Sequence, residues 1–356
     1  MTRTDTLIVG GGLSGLRLAD LLQQAGHDYL LVEARDRLGG RIFSAPAGDS
    51  DFDLGPAWFW SGQPRMAAQA NRFGLDVFEQ YATGNFRFEN AQGDIAEGRA
   101  GASMQGSLRL SGGMGALTKA LARTLPAKQI MTGHAVSGLR FSPGEVTASI
   151  NGKPPVTARR VVLALPPRIA SQLAYAPDLP VTAQQALATV PTWMAGQAKA
   201  VALYDEPFWR IAGLSGDAVS HRGPMVEIHD ASPKAGGPYA LFGFIGVAAH
   251  SRGDGQALRH AVADQFSRVF GPDAPTPQDL LIKDWAVDPH TTTKADLAPL
   301  HSHPRYSLPA ALQDLWATAL LFSGTETATN FGGYLEGALE SAETTFRTLT
   351  EEALAP

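Results

Sequence analysis

Thr6-Leu7-Ile8-Val9 runs into Gly10-Gly11-Gly12-Leu13-Ser14-Gly15, and the chain then passes through residues 16–24 and 29–32 to Glu33. The apolar run before the glycines predicts a short strand. Leucine and alanine at helical spacing predict a helix over 16–24, and Tyr29-Leu30-Leu31-Val32 predicts a second strand. Glu33 falls eighteen residues past Gly15. Strand, glycine turn, helix, strand and acid together form the dinucleotide-binding fingerprint, which is far more specific than an isolated GxGxxG. Each part has a physical task. Gly10 makes the tight turn, Gly12 lets backbone approach a pyrophosphate, and Gly15 allows close helix–strand packing. Around Ser14, the unpaired N–H groups and dipole of the helix start attract phosphate charge. Glu33 is placed to accept hydrogen bonds from a ribose diol.

The next residues, Glu33-Ala34-Arg35-Asp36-Arg37-Leu38-Gly39-Gly40-Arg41, separate flavin from nicotinamide, since a nicotinamide dehydrogenase needs no Gly-Gly-Arg here. This stretch resembles the EARxRxGGR segment of the FAD-dependent amine oxidase superfamily: monoamine, polyamine and L-amino-acid oxidases and their relatives. The resemblance implies that Glu33 and Arg35 lie near the adenosine ribose, and that Gly40 and Arg41 lie near the pyrophosphate. On the residues alone, Arg41 is a planar cation whose glycine neighbours let a phosphate come close. Asp36 and Arg37 read as a solvated charged loop.

With 356 residues the chain is long enough for two domains, and its 44% hydrophobic, 18% charged composition is that of a globular enzyme. A net charge of −5 without a basic block argues against nucleic acid. The chain has no cysteine, which excludes disulfides, thiolate metal sites, a catalytic thiol and a flavin attached through a cysteine sulfur. Non-covalent FAD is therefore expected. Met1 leads almost at once into the first strand, no apolar run has membrane-spanning length, and the C-terminal residues are polar. These features predict no leader, no membrane anchor and a cytoplasmic location.

Further segments extend the resemblance. Asp53-Leu54-Gly55-Pro56-Ala57-Trp58 is similar to the family's DLGGxW, whose backbone runs beside the flavin, with Pro56 in place of a glycine. Gly55, Pro56, Ala57 and Trp58 are thus candidate flavin contacts, and Trp60 is a candidate pocket wall that competes with ordinary core packing. Val136 matches the position where a valine backbone meets the adenine. Lys199, in an apolar strand ahead of Tyr204 and Pro207-Phe208-Trp209-Arg210, matches the lysine that holds a water against flavin N5. The simpler alternative is a lysine snorkelling from a strand edge. Trp285 matches a late flavin-side tryptophan. Nine and ten residues later Lys294 and Ala295 replace the cysteine–tyrosine pair of monoamine oxidases, so one wall of a two-tyrosine amine cage is missing.

Ser323-Gly324-Thr325-Glu326-Thr327 and Gly333-Tyr334-Leu335-Glu336-Gly337-Ala338 resemble the family's closing GTET…GYxEGA. The likeness puts Gly324 and Glu326 near the ribityl–pyrophosphate region and the Leu335 amide at the flavin N1/C2=O edge. Tyr334 becomes the remaining cage tyrosine. His301-Ser302-His303 lacks a third ligand at a helpful spacing and is expected to be a solvated loop with no metal.

The expected fold is α/β: a discontinuous Rossmann-type FAD domain from residues 1–63, 107–177 and 286–356, and a smaller mixed α+β substrate domain from 64–106 and 178–285. Polar loops are expected over 84–101, and the short chain suggests trimmed lids and a less enclosed site. The implied reaction is oxidation of an amine by hydride transfer to FAD N5, imine hydrolysis, and reoxidation by oxygen, or another acceptor, with peroxide release. Lys199 and Tyr334 are the candidate catalytic residues, and Trp60 and Tyr334 line the substrate pocket. Three alternatives compete: a desaturase or dehydrogenase acting on a C–C or ring substrate, a non-catalytic flavin-binding protein, and a nicotinamide dehydrogenase. Oligomeric state leaves no mark in the sequence.

Overall fold

The computed structural model describes residues 2–99, 104–298, 300 and 302–351. Its opening follows the sequence: strand β1 (Thr2–Val9), helix α1 (Leu13–Gln24) and strand β2 (Tyr29–Val32). The two strands pair in parallel, as a right-handed crossover requires. The strand Val156–Leu163 runs parallel to β1 on its other side, in register from Thr2 opposite Val156 to Val9 opposite Leu163. Its far edge is shared. Val156–Ala158 meets the antiparallel strand Glu145–Ile150, whereas Val161–Leu163 meets Leu320–Phe322 in parallel. The C-terminal segment thereby enters the sheet with two strands between it and β2. Val9, Leu163 and Phe322 all end at the carboxyl edge of one sheet, where open α/β sheets bind ligands.

Apolar side chains of α1 and of the closing helix Leu335–Glu351 pack together under this sheet, with Leu16, Leu22, Leu339 and Ala342 essentially inaccessible. Ser14 Oγ and Ser323 Oγ share a 2.7 Å hydrogen bond, which joins the first glycine turn to the last.

A second sheet has seven strands, in the order 279–284, 198–204, 239–245, 225–230, 214–220, 85–89 and 95–98. Within the span 84–101 expected as polar loops, Asn85–Glu89 and Ile95–Gly98 form an antiparallel hairpin, and residues 100 and 101 lie outside the described residues. Asn85–Glu89 adds in parallel to Leu214–Ser220, a partner more than a hundred residues away, so local composition carried no sign of it. Two helices next to the expected boundaries at 64 and 178 share the first unit's cores. Met66 and Ala70 of the helix Pro64–Arg72 pack with α1, and Ala183 and Leu187 of Val181–Thr189 pack with the first sheet.

The strand Ala198–Tyr204 shows why one lysine faces inward. Ala198, Ala200, Ala202 and Tyr204 pack toward the helix Gly255–Phe270, so Lys199, Val201 and Leu203 point to the opposite face with Phe242 and Phe244. Among the described residues no helix is long and apolar enough to cross a membrane.

Candidate active site

A cavity of about 310 Å³ lies along the carboxyl edge of the first sheet and continues over the face of the second. Of the sequence-predicted residues, Gly10, Gly12, Ser14, Glu33, Arg35, Gly40, Arg41, Gly55, Pro56, Ala57, Trp58, Trp60, Lys199, Trp285, Gly324, Glu326, Tyr334 and Leu335 line it. Gly15 and Val136 do not. Gly15 lies beneath the turn, where a Cβ would sit 1.9 Å from the Gly10 carbonyl oxygen. The Val136 side chain is buried in the sheet core, although His134 N–H, two residues earlier, donates to the Glu33 carbonyl at 3.0 Å.

At the glycine end, Gly11 N–H and Arg35 N–H donate to separate oxygens of the buried Glu33 carboxylate, at 2.7 and 2.9 Å. The Arg35 guanidinium is held by Asp288 at 2.5 Å and Thr291 Oγ1 at 2.8 Å. Gly12 and Gly40 bring two backbones together: a Cβ on Gly40 would lie 3.1 Å from Gly12 Cα, while one on Gly12 would meet no protein atom closer than 4.0 Å. That leaves a cradle floored by backbone and capped by the α1 N-terminus, whose first-turn amides lack intrahelical acceptors.

Arg41 reaches across to Glu326, with Nη1 2.6 Å from Oε1. The Glu326 side chain is wholly buried, and its Oε2 has no hydrogen-bond partner among the described residues. Burial opposes the Arg41 charge, and the Glu326 carboxylate more than offsets this, so its pKa lies above the ordinary value.

The loop 54–57 is pinned from two sides. Trp285 Nε1 donates to the Leu54 carbonyl at 2.9 Å, and Lys199 Nζ donates to the Gly55 carbonyl at 3.0 Å. Gly55 is required there, because a Cβ would lie 2.0 Å from the Arg41 carbonyl oxygen. Lys199 is 3% exposed, and its Nζ sits 4.0 Å from the Phe242 ring centroid and 5.7 Å from those of Trp58 and Phe244. This placement excludes an edge-snorkelling lysine. Burial lowers its pKa to about 7, against an opposing pull from the Asp53 carboxylate.

At the far end Tyr334 is 40% exposed, with Trp60 edge-on at 6.1 Å. His303 is a loop residue, as expected, but a half-buried one whose ring stacks on Tyr334 at 5.0 Å; His301 lies outside the described residues. No group of three or more potential metal ligands occurs among the described residues. Sequence reasoning also missed Trp193, Met194, Gln197, Phe244, His290 and Thr291 as lining residues. Only the large apolar pair Trp193-Met194 ahead of the lysine strand could have flagged the first two.

A parallel sheet with a glycine cradle at its carboxyl edge, a buried glutamate at the end of β2 and an apolar chamber beyond defines the class of dinucleotide-binding proteins. Comparison with known proteins narrows the class. The family model for flavin containing amine oxidoreductase matches residues 81–347, and one for an NAD(P)-binding Rossmann-like domain matches residues 8–73. The chain belongs to the flavin-containing amine oxidoreductase family and is an FAD-dependent oxidoreductase. It is 23% identical to a probable flavin-containing monoamine oxidase A of Dictyostelium discoideum, over 96% of each chain. It is also 23% identical to amine oxidase B of Homo sapiens, over 96% of this chain and 85% of the relative. Two solved structures share its fold. Wild-type putrescine oxidase bound to putrescine superposes with TM-score 0.81 at 19% identity, covering 98% of this chain and 99% of that one. Cyclohexylamine oxidase from Brevibacterium oxydans gives 0.82 at 18% identity, over 99% of this chain and 100% of the other.

The cavity fits FAD on its own terms. The Gly12–Gly40 cradle and α1 N-terminus suit a pyrophosphate, and the unpartnered Glu326 Oε2 suits a hydroxyl donor. The start of the helix Leu335–Glu351 points its positive end at the same cavity.

Proposed function

We propose that this enzyme oxidises an amine at the carbon next to nitrogen, yielding an imine that water hydrolyses. The observation that carries this is the aromatic end of the cavity, where Trp58, Trp60, Trp193, Phe244 and Tyr334 meet beside one deeply buried lysine. Bound FAD would supply the two-electron acceptor for the substrate carbon, with oxygen as the final oxidant and hydrogen peroxide as its product. The protein therefore needs no nucleophile, and its task is binding, orientation and exclusion of water. Gly12, Gly40, Arg41 and the Leu335 amide would hold the cofactor, with Glu33 on the ribose.

The apolar rings favour an uncharged amine, because an ammonium desolvated there loses its proton more readily. Lys199 obeys the same physics: burial lowers its pKa to about 7, so at pH 7 only about half of it is the ammonium form, which reduces its repulsion toward a basic substrate. With one N–H committed to Gly55, Lys199 retains donors for a water or substrate nitrogen. Tyr334 and Trp60 would flank the substrate.

The decisive experiment is anaerobic titration of the purified yellow protein with primary, secondary and amino-acid amines. Bleaching of the visible flavin band by at least one amine, with peroxide release on readmitting oxygen, is expected. A flavin that no amine reduces would sink the proposal. Bleaching by amines without peroxide would replace oxygen with another acceptor.

A further inference from the structure

Tyr334 is the most exposed ring at the aromatic end of the cavity, and a ring so placed needs support. One face of it is covered by His303, with centroids 5.0 Å apart and planes 22° from parallel. His303 in turn lies 4.9 Å from Trp193, which lines the cavity, and 5.8 Å from Tyr306, met edge-on. His303 itself does not line the cavity. It stands behind the two rings that do and bridges them.

The backbone is shaped around this arrangement. A Cβ on Gly333 would lie 2.5 Å from His303 Nε2, and one on Gly332 would lie 2.3 Å from Tyr306 Cβ. Two consecutive glycines thus form the bed on which the His303 and Tyr306 rings rest. Tyr306 Oη donates to the Pro191 carbonyl at 2.9 Å and ties the same loop to the segment carrying Trp193. Buried histidines are ordinarily fixed by hydrogen bonds. His303 is half-buried, and its buried Nε2 has no such partner among the described residues, so on that side ring-face contact and shape hold the imidazole.

We infer that His303 is a positioning residue: the stack Trp193–His303–Tyr334 fixes the angle at which Tyr334 faces the substrate and forms the wall opposite Trp60. The inference rests on the amine-oxidation reading for its kinetic consequence, but not for its structural one. It also bears on substrate class. The carboxylates lining the cavity, Glu33 and Glu326, are both at the cofactor end and already engaged, so a second ammonium on the substrate would find no acidic partner at the aromatic end. An amine with a flat or cyclic apolar substituent fits this wall; a diamine does not.

The test uses FAD-bound His303→Ala and His303→Phe, with benzylamine as probe. Phenylalanine keeps the ring face and removes the unpartnered nitrogen. In crystal structures of the two holoproteins, Tyr334 should leave its orientation in His303→Ala and keep it in His303→Phe. In anaerobic reduction, half-saturating benzylamine should rise about fivefold in His303→Ala, the loss of one aromatic contact. The limiting rate and FAD content should hold, and His303→Phe should restore affinity. An unmoved Tyr334 in His303→Ala, or a displaced one in His303→Phe, overturns the assignment. Should His303→Ala fail to fold, the orientation in His303→Phe decides alone. A wild-type flavin that no amine bleaches defeats the proposed function, while the crystal structures still decide the role of His303.

Discussion

Replacing Lys199 by methionine isolates the most unusual energetic feature of the site, an amine buried among aromatic rings. Its pKa moves from 10.5 to about 7 on folding. At about 1.4 kcal/mol per decade, holding the ammonium form in place disfavours folding by roughly 5 kcal/mol. The sign follows from linkage. Between the folded and unfolded pKa values the unfolded chain binds the extra proton, so stability rises with pH across that window. Below the folded value the full penalty applies. Methionine fills similar space, has no charge, and leaves the Gly55 carbonyl without its donor, which costs about 1–3 kcal/mol at every pH. The discriminating quantity is therefore a difference of differences. Thermal unfolding of FAD-saturated wild type and Lys199→Met is compared at pH 6 and pH 9. The variant's standing relative to wild type should worsen by about 3 kcal/mol over this range, or about 4 °C for a chain of this size. Asp53 and other titrating groups are common to both proteins and largely cancel. A constant difference across pH would refute the claim that Lys199 is buried with a depressed pKa. In the same preparations, reduction by amine should slow by at least about tenfold, the effect of losing one oriented donor, and a wild-type rate would remove Lys199 from catalysis.

Gly12→Ala and Gly15→Ala should part company. Gly12 has φ −72° and open space at its Cβ, so the variant should fold but retain FAD roughly tenfold less tightly, about 1.4 kcal/mol, read from flavin absorbance after gel filtration. In Gly15→Ala the new methyl meets the Gly10 carbonyl at 1.9 Å, and soluble protein should be largely lost; equal flavin content in both variants would contradict this division. Arg41→Ala leaves the wholly buried Glu326 carboxylate uncompensated and should destabilise the apoprotein by about 3 kcal/mol in denaturant titration, with Arg41→Lys recovering part. An unchanged midpoint for Arg41→Ala would mean the pair contributes nothing.

The sequence by itself determined the cofactor half of this protein. Strand, glycine turn, helix and Glu33 are contiguous, and their physics is local: a carbonyl 1.9 Å from where a Cβ would sit admits only glycine at position 15, whatever surrounds it. The closing segment at Gly324 and Tyr334 was legible for the same reason, as a strand end followed by a helix start. What tertiary structure alone decided is which distant pieces meet. The hairpin at 85–98 became sheet through a parallel partner at 214–220. The helices at 64–72 and 181–189 joined the first core because that is where their apolar faces could be buried. His303 came to back the cavity wall through contacts with Trp193 and Tyr334, which no periodicity connects to it. Backbone conformation and short-range sterics are written in neighbouring residues. Ring stacking and strand pairing across a hundred residues depend on how the chain closes, and a linear pattern holds no record of that.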